Sequence, residues 1–514
     1  MQFNCPVKFN IADFILKERG KKSKENPIVI YYGDEKITYN KLEEMTNKAG
    51  NALLDIGVRR EDRVLLLLLD TPEFYYSFLG AIKIGAVPIP TNTMLKPQDY
   101  EFLLNDSRAA AIIVSEQLVD MVYQMLPLLP YLKSFIVAGK AKGEQLSFDE
   151  IVNKASDKLE AVESHKDDPC FWLYSSGSTG TPKGTVHLQH DIYHCGETYG
   201  KKILKLTEKD ITFSAARLFF AYGLGNNFYF PIFAGASAVL NPERPVPEKM
   251  FQIIDKYKVT VFFGVPTLYA AMLQVKEVGK KYDLSSLRLC ISAGEALPPE
   301  ILKNWKEKFG VEICDGIGST EMLHIFISNI EGDIMPGSSG KPVPGYNIKI
   351  VDDEGNPVKK GEIGNMLASG DSAAAYYWKS HEKTKNTFQG KWVVSGDKYY
   401  QDENGYYFYC GRADDMLKVG GIWVSPVEVE NTVITHPSVL ECAVVGAADK
   451  DNLIKPKAFV VLKEGIEPSD KLIKEIQLFV KEKIAPYKYP RWIEFIKELP
   501  KTPTGKIQRF KLRG

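Results

Sequence analysis

Short apolar runs alternate with helix-period segments as far as about Gly345, the pattern of parallel sheets covered by helices. Residues 63–70 precede a helix-period stretch at 72–84, 111–115 precede 116–129, and 259–263 precede 266–275. Such sheets bind ligands in the loops beyond the carboxyl ends of their strands. The run Cys170-Phe171-Trp172-Leu173-Tyr174 reads as a buried strand, and it leads into Tyr174-Ser175-Ser176-Gly177-Ser178-Thr179-Gly180-Thr181-Pro182-Lys183-Gly184. That loop therefore occupies the position where a ligand is expected.

Glycines let a backbone approach an anion and aim amide N–H groups at it, while hydroxyls donate and Lys183 adds charge. The composition suits polyphosphate, although a Ser/Gly-rich surface loop has the same composition. It is not a Walker loop: Pro182 precedes Lys183 and Gly184 follows, where that motif needs Gly before and Ser or Thr after.

At 514 residues the chain exceeds what one core usually supports, so two or more domains are expected. Lys plus Arg equals Asp plus Glu at 65 each, which removes a global electrostatic argument for nucleic acid or a membrane surface as partner. A small-molecule partner is expected instead. Seven scattered cysteines, an odd number without a CxxC pair, suit reduced structural thiols in a cytoplasmic enzyme. Residues 1–9 lack a signal-peptide core, and the apolar run 64–69 is far too short to span a bilayer. No internal repeat indicates a solenoid.

Beyond Gly345 the texture changes to short strands at 346–353, 362–368 and 391–397 separated by Asp/Glu/Gly turns, suggesting a small barrel or curled sheet. Past Gly411-Arg412-Ala413-Asp414-Asp415 the chain reads as an α+β unit of about one hundred residues. Its segments 427–435, 439–446, 458–463 and 470–483 read as helix, strand, strand and helix. The segment from Pro500 to Lys506 is too rich in Pro and Gly for either.

The hydroxyl-rich loop, Gly316-Ile317-Gly318-Ser319-Thr320-Glu321, Ser395-Gly396-Asp397, Gly411-Arg412-Ala413-Asp414-Asp415 and Pro503-Thr504-Gly505-Lys506 resemble, in order and spacing, the adenylate-forming acyl-CoA synthetase (AMP-binding) family. The likeness covers nearly the whole chain. It implies an α/β fold with a large N-terminal domain, 1–411, of two helix-flanked sheets plus a small β-barrel. A hinge linker, 412–415, and a mobile α+β C-terminal lid domain, 416–514, are expected to follow. The implied reactants are a carboxylic acid, ATP with Mg²⁺, and coenzyme A.

By the same resemblance Ser175, Ser176, Gly177, Ser178, Thr179 and Lys183 bind phosphate. Ser319 belongs to the second nucleotide motif, Thr320 donates to phosphate and Glu321 holds the magnesium. Mg²⁺ commonly takes one or two carboxylates together with phosphate oxygens, which suits a lone Glu in a glycine-rich turn after the apolar run 311–314. Asp315 is expected to accept from the adenine amino group, and Gly294, Glu295 and Ala296, after a strand at 287–291, to line the adenine. Asp397, at the end of a strand 392–394, is expected to accept from both ribose hydroxyls; capping a turn is the bland alternative. Arg412 resembles a second ribose and phosphate contact, Asp414 a hinge, and Gly421 a residue lining the pantetheine tunnel. Lys506 is the expected catalytic cation. A carboxylate attacking the α-phosphorus brings anion to anion, and a cation placed there stabilises the transition state. Taken alone, a lysine in a Pro/Gly loop would simply be solvated.

The acid is read from 217–226, where three aromatics lie among small residues and suit a compact ring; core packing accounts for one or two of them equally well. This stretch, the octapeptide 319–326 and the hexapeptide 416–421 resemble the benzoate-CoA ligases within the family. The likeness implies that Ala221, Tyr222, Gly318, His324 and Ile325 line the ring pocket; the bland alternative for His324 is a packed residue on a helical face. An alicyclic or short unsaturated acid remains an alternative, as do loading of a separate carrier protein and nucleotide binding without catalysis. A monomer and a homodimer are equally compatible with the sequence.

Overall fold

The computed structural model describes residues 5–20, 26–176, 182–419, 422–450, 453–501 and 507–513. Two sheets dominate the first part of the chain. The larger has nine strands. Its centre is parallel, running Ile313–Gly318, Leu289–Ser292, Val261–Gly264, Ile211–Ser214, Ser237–Leu240 and Ile28–Tyr32. Antiparallel strands Glu35–Thr38 at one edge and Ile325–Ser328 with Lys341–Pro342 at the other complete it. The second sheet has five strands, all parallel, centred on Arg63–Leu67 and Ala111–Ser115. Every residue of Ala111–Ser115 and of Val261–Gly264 is buried, as strands covered on both faces require.

Helix Pro72–Lys83 shows why the two sheets share a core. Pro72 stands at its first position, where a missing N–H costs nothing, and all but one of its residues are buried. It packs on helix Tyr39–Asp55, where a Cβ on Gly80 would lie 2.8 Å from the backbone nitrogen of Gly50, so only glycine permits the approach. One apolar cluster joins Val29, Val261 and Ile291 of the larger sheet to Val64, Ile113 and Ile136 of the smaller.

A third, antiparallel sheet joins Pro169–Ser176, Pro182–Leu188 and Tyr376–Tyr377. This corrects the sequence expectation: the strand before the hydroxyl-rich segment pairs antiparallel with the strand after it, and neither belongs to a parallel sheet. The helix expected at 116–129 is instead two tight 3₁₀ turns, Glu116–Met121 and Tyr123–Leu128. Pro127, inside the second, cannot supply the amide an α-helix needs.

The barrel region is a five-stranded antiparallel sheet of Asn347–Val351, Gly364–Ser369, Phe388–Gln389, Trp392–Gln401 and Tyr407–Arg412. The smaller C-terminal domain follows. Its helices Pro426–Ile434 and Asp470–Lys483, each capped by a serine hydroxyl, cover strands Val439–Ala448 and Ile454–Leu462. A further strand, Trp492–Phe495, which the sequence did not announce, adds in parallel to the second of these. Val429, Val433, Val444, Val460, Ile476 and Val480 make a core separate from the others. All seven cysteines are free thiols, six of them buried, and no helix of the described residues is long and apolar enough to cross a membrane.

Candidate active site

The antiparallel hairpin brings Ser175 opposite Lys183, so the two ends of the phosphate-loop candidate face one another across the ladder. The Ser175 hydroxyl is buried with no hydrogen-bond partner among the described residues. Residues 177–181, and the side chain of Ser176, lie outside the described part of the molecule. Lys183 sits 4.3 Å over the ring of Tyr377 and 3.8 Å from Glu321 Oε1. Burial lowers its pKa, opposed by the Glu321 charge. The Tyr377 hydroxyl donates to the same Glu321 oxygen at 2.7 Å. Tyr377 is a site residue that the sequence did not reveal: it reaches Glu321 because strand Tyr376–Tyr377 pairs with the hairpin, and no motif surrounds it. One carboxylate flanked by a phenol and an ammonium fits an ion that draws its other ligands from phosphate oxygens and water, as Mg²⁺ does.

Asp315 lies on strand Ile313–Gly318, beside Ser292 of the neighbouring strand. Its Oδ2 accepts from Leu297 N at 3.3 Å, while Oδ1 is buried without a partner among the described residues. An orphaned acceptor here suits a nucleobase amino group. Burial pushes the carboxyl up to about 8. Between the ordinary carboxylate range and that value the folded protein holds a proton that the unfolded chain releases, so stability falls as pH rises through this interval. Asp315→Asn abolishes that contribution. Its melting temperature is therefore expected to drop less than the wild type's between about pH 5 and about pH 8; equal drops in thermal melts would show that Asp315 is not the responsible group.

Gly294, Glu295 and Ala296 follow the strand Leu289–Ser292, Gly294 with φ +94°. Asp397 is found inside the ten-residue strand Trp392–Gln401, paired with Arg412 of the next strand, not at a strand end as expected. The longer strand is held by that partner, which the local sequence could not show. Arg412 Nη1 donates to Asp397 Oδ1 at 3.1 Å and to the Ser395 carbonyl at 3.0 Å. Gly396, at φ +75°, leaves room for this, since a Cβ there would meet Arg412 Nη2 at 2.7 Å. The next residues turn back on the same arginine, with Asp415 N and Met416 N both donating to the Arg412 carbonyl. Asp414 lies in this turn, and Asp415 pairs with Arg513.

Segment 217–229 packs against the larger sheet. Helix Ala221–Leu224 runs into a π-helical turn, Gly225–Tyr229, a distortion common at functional sites. The Tyr222 hydroxyl donates to the carbonyls of Gly264 and Ile291, both at 3.2 Å. His324 lies in the turn before strand Ile325–Ser328, not on a helix. Leu323, with φ +66°, breaks any helical path there. The His324 ring packs among Tyr199, Tyr222 and Phe230, with centroids 5.2, 5.7 and 4.7 Å away. Burial lowers its pKa to about 3, so the ring is neutral, and Nε2–H faces the Tyr222 carbonyl and Asn226 Oδ1. A Cβ on Gly225 would stand 2.4 Å from His324 Cδ2, so the ring lies against bare backbone. Gly318 pairs with Ile325 beside it.

Lys506, Gly421 and the side chain of Lys418 lie outside the described residues. The residues on either side of 502–506 have defined partners. Lys501 and Ile507 form an antiparallel bridge, Lys501 pairs with Glu441 at 2.7 Å, and Arg509 pairs with Glu430 at 2.8 Å. The Ile507 N–H donates to Glu295 Oε1 at 3.1 Å, joining the C-terminal domain to the segment expected to line the adenine.

Comparison with known proteins identifies the family. The AMP-binding enzyme family matches residues 16–378, and the AMP-binding enzyme C-terminal domain matches 428–506. The chain belongs to the AMP-binding enzyme family. It is 50% identical to a benzoate–CoA ligase of Thauera aromatica, the match covering 99% of this chain and 96% of that one. A crystal structure of an anthranilate CoA ligase in complex with anthranoyl-AMP superposes with a TM-score of 0.95 at 49% identity, covering 99% of this chain and 97% of that one. A benzoate CoA ligase from Burkholderia xenovorans LB400 gives 0.91 at 45% identity, covering 98% and 100%.

Proposed function

We propose that this protein is an AMP-forming aromatic acid–CoA ligase that activates benzoate or a similar small ring acid with ATP and transfers the acyl group to coenzyme A. The observation that carries the reading is the full-length match to a benzoate–CoA ligase. It is supported by the packing of Tyr222 against a neutral His324 ring in the segments that resemble benzoate–CoA ligases.

In this reading the loop hydroxyls and Lys183 hold the phosphates, and Glu321, oriented by Tyr377 and Lys183, would hold Mg²⁺ together with phosphate oxygens. Bound there, the ion would neutralise phosphate charge. Thr320 donates to phosphate within the Ser319-Thr320-Glu321 turn, Asp315 and the Gly294-Glu295-Ala296 segment take the adenine, and Asp397 with Arg412 takes the ribose. Ala221, Tyr222, Gly318, His324 and Ile325 enclose the ring. The substrate carboxylate forms a bond to the α-phosphorus as the bond to the β-phosphate oxygen breaks, and pyrophosphate leaves. Lys506 stabilises the charge spread over the phosphoryl oxygens. Residues 416–514 then rotate about 412–415 relative to 1–411, withdrawing Lys506 and bringing Gly421 to the thiol's entrance. The CoA sulfur bonds to the acyl carbon as the bond to AMP breaks, and the thiol proton passes to water. Seven unpaired cysteines support a reducing, cytoplasmic setting.

Initial rates over parallel panels of aromatic, alicyclic and short unsaturated acids test the assignment. Benzoate or a simply substituted benzoate is expected to give the highest kcat/KM. Higher efficiency on a non-aromatic acid would refute the ring preference, and absence of pyrophosphate exchange with every acid would refute catalysis.

A further inference from the structure

His187 lies on the strand that leaves the phosphate loop, four residues past Lys183, and its ring is completely buried. It stacks on Phe171 with centroids 5.2 Å apart and planes at 19°. Its two nitrogens are both engaged. Nδ1 lies 2.7 Å from Asp191 Oδ2, and Nε2 lies 2.8 Å from the Thr320 carbonyl oxygen. Asp191 Oδ2 also accepts the Leu188 N–H at 3.1 Å, so it acts as an acceptor. A carbonyl oxygen can only accept. The ring therefore donates its Nε2–H to the Thr320 carbonyl and shares a hydrogen with Asp191 Oδ2 on its other side.

The Thr320 carbonyl closes the turn that carries Glu321: it also accepts from Leu323 N at 3.1 Å, and Leu323 has φ +66°. Next along the chain, the Glu321 carbonyl accepts from Ala374 N at 2.7 Å. The turn is thus gripped at successive carbonyls, once by backbone and once by a side chain from the strand that begins at the phosphate loop. We propose that His187, braced by Asp191, is a positioning residue that fixes the Glu321 turn relative to the phosphate loop. This rests on the adenylation reaction proposed above. A histidine serving only to fill the core would need neither acceptor, and phenylalanine would replace it on Phe171.

Three substitutions separate these roles. Gln places an amide N–H near the position of ring Nε2 and keeps the bond to Thr320; Asn keeps only the Asp191 side; Phe keeps only the stacking. In pyrophosphate exchange, His187→Asn and His187→Phe are expected to lose about 10- to 100-fold in kcat, with little change in KM for the acid, while His187→Gln recovers most of the rate. A Gln variant as slow as the Phe variant, or a Phe variant as fast as wild type, overturns the proposal. If the Phe variant does not fold, the Gln and Asn variants still decide. ¹⁵N-histidine NMR of the wild-type protein, with the resonance assigned by its loss in His187→Gln, is expected to show a hydrogen on the ring nitrogen that faces the Thr320 carbonyl; a bare nitrogen there overturns the bridge. A wild-type enzyme that exchanges pyrophosphate with no acid would refute the proposed reaction instead, and the NMR result would still report on the bridge.

Discussion

Replacing Lys506 by alanine is expected to slow acyl-adenylate formation by about 10²–10³-fold while leaving thioester formation from supplied acyl-adenylate nearly intact. The size follows from the loss of one preorganised cation aimed at the phosphoryl oxygens where charge develops. The selectivity follows from the domain rotation proposed above, in which the lysine has left the cleft before the thiol attacks. The contact that bears on this belongs to its neighbour. Ile507 donates its amide to Glu295, on the segment proposed to take the adenine. Ion pairs Lys501–Glu441 and Arg509–Glu430 tie the flanks of the loop to the C-terminal domain, so the lysine must travel with that domain. Rapid-quench measurement of the two half-reactions, run separately, checks the prediction. Equal losses in both would contradict the alternation.

Glu321→Gln is expected to lower kcat/KM for ATP by on the order of 10²-fold and to raise the Mg²⁺ concentration needed for half-maximal rate. The substitution keeps an acceptor for the Tyr377 hydroxyl, which now bonds the glutamate at 2.7 Å, so the local fold should persist. It removes the negative charge that attracts the ion and that balances Lys183, 3.8 Å away. Titrating Mg²⁺ at fixed ATP in the pyrophosphate-exchange assay gives the answer. An unchanged Mg²⁺ dependence would remove Glu321 from the metal site and leave it as a partner of Tyr377 and Lys183.

Much of the fold was legible because its signals are local. Helix 470–483 has a serine cap and a 3.6-residue period, and it was read to the residue. Strand 111–115, an unbroken apolar run, was read equally well. The error at 116–129 has a local cause too: leucines and methionines recur at spacings that an α-helix and successive 3₁₀ turns share, and only Pro127 argued against the former. What escaped depends on distant pairing. Tyr377 meets Glu321 across 56 positions and His187 meets Thr320 across 133, both through the hairpin sheet, and neither residue sits in a motif of its own. The extension of the strand through Asp397 likewise depends on its pairing with Arg412. Candidate residues rich in chemistry were found from composition and family likeness, whereas the groups that orient them were not, because orientation is a property of the assembled sheet.

The Ile507–Glu295 hydrogen bond bridges the two domains, as does the Ser425 hydroxyl on the Cys410 carbonyl. In the domain alternation proposed above, any swing large enough to admit a new nucleophile must first break the Ile507–Glu295 bond, which would keep water and thiol waiting until the mixed anhydride is made.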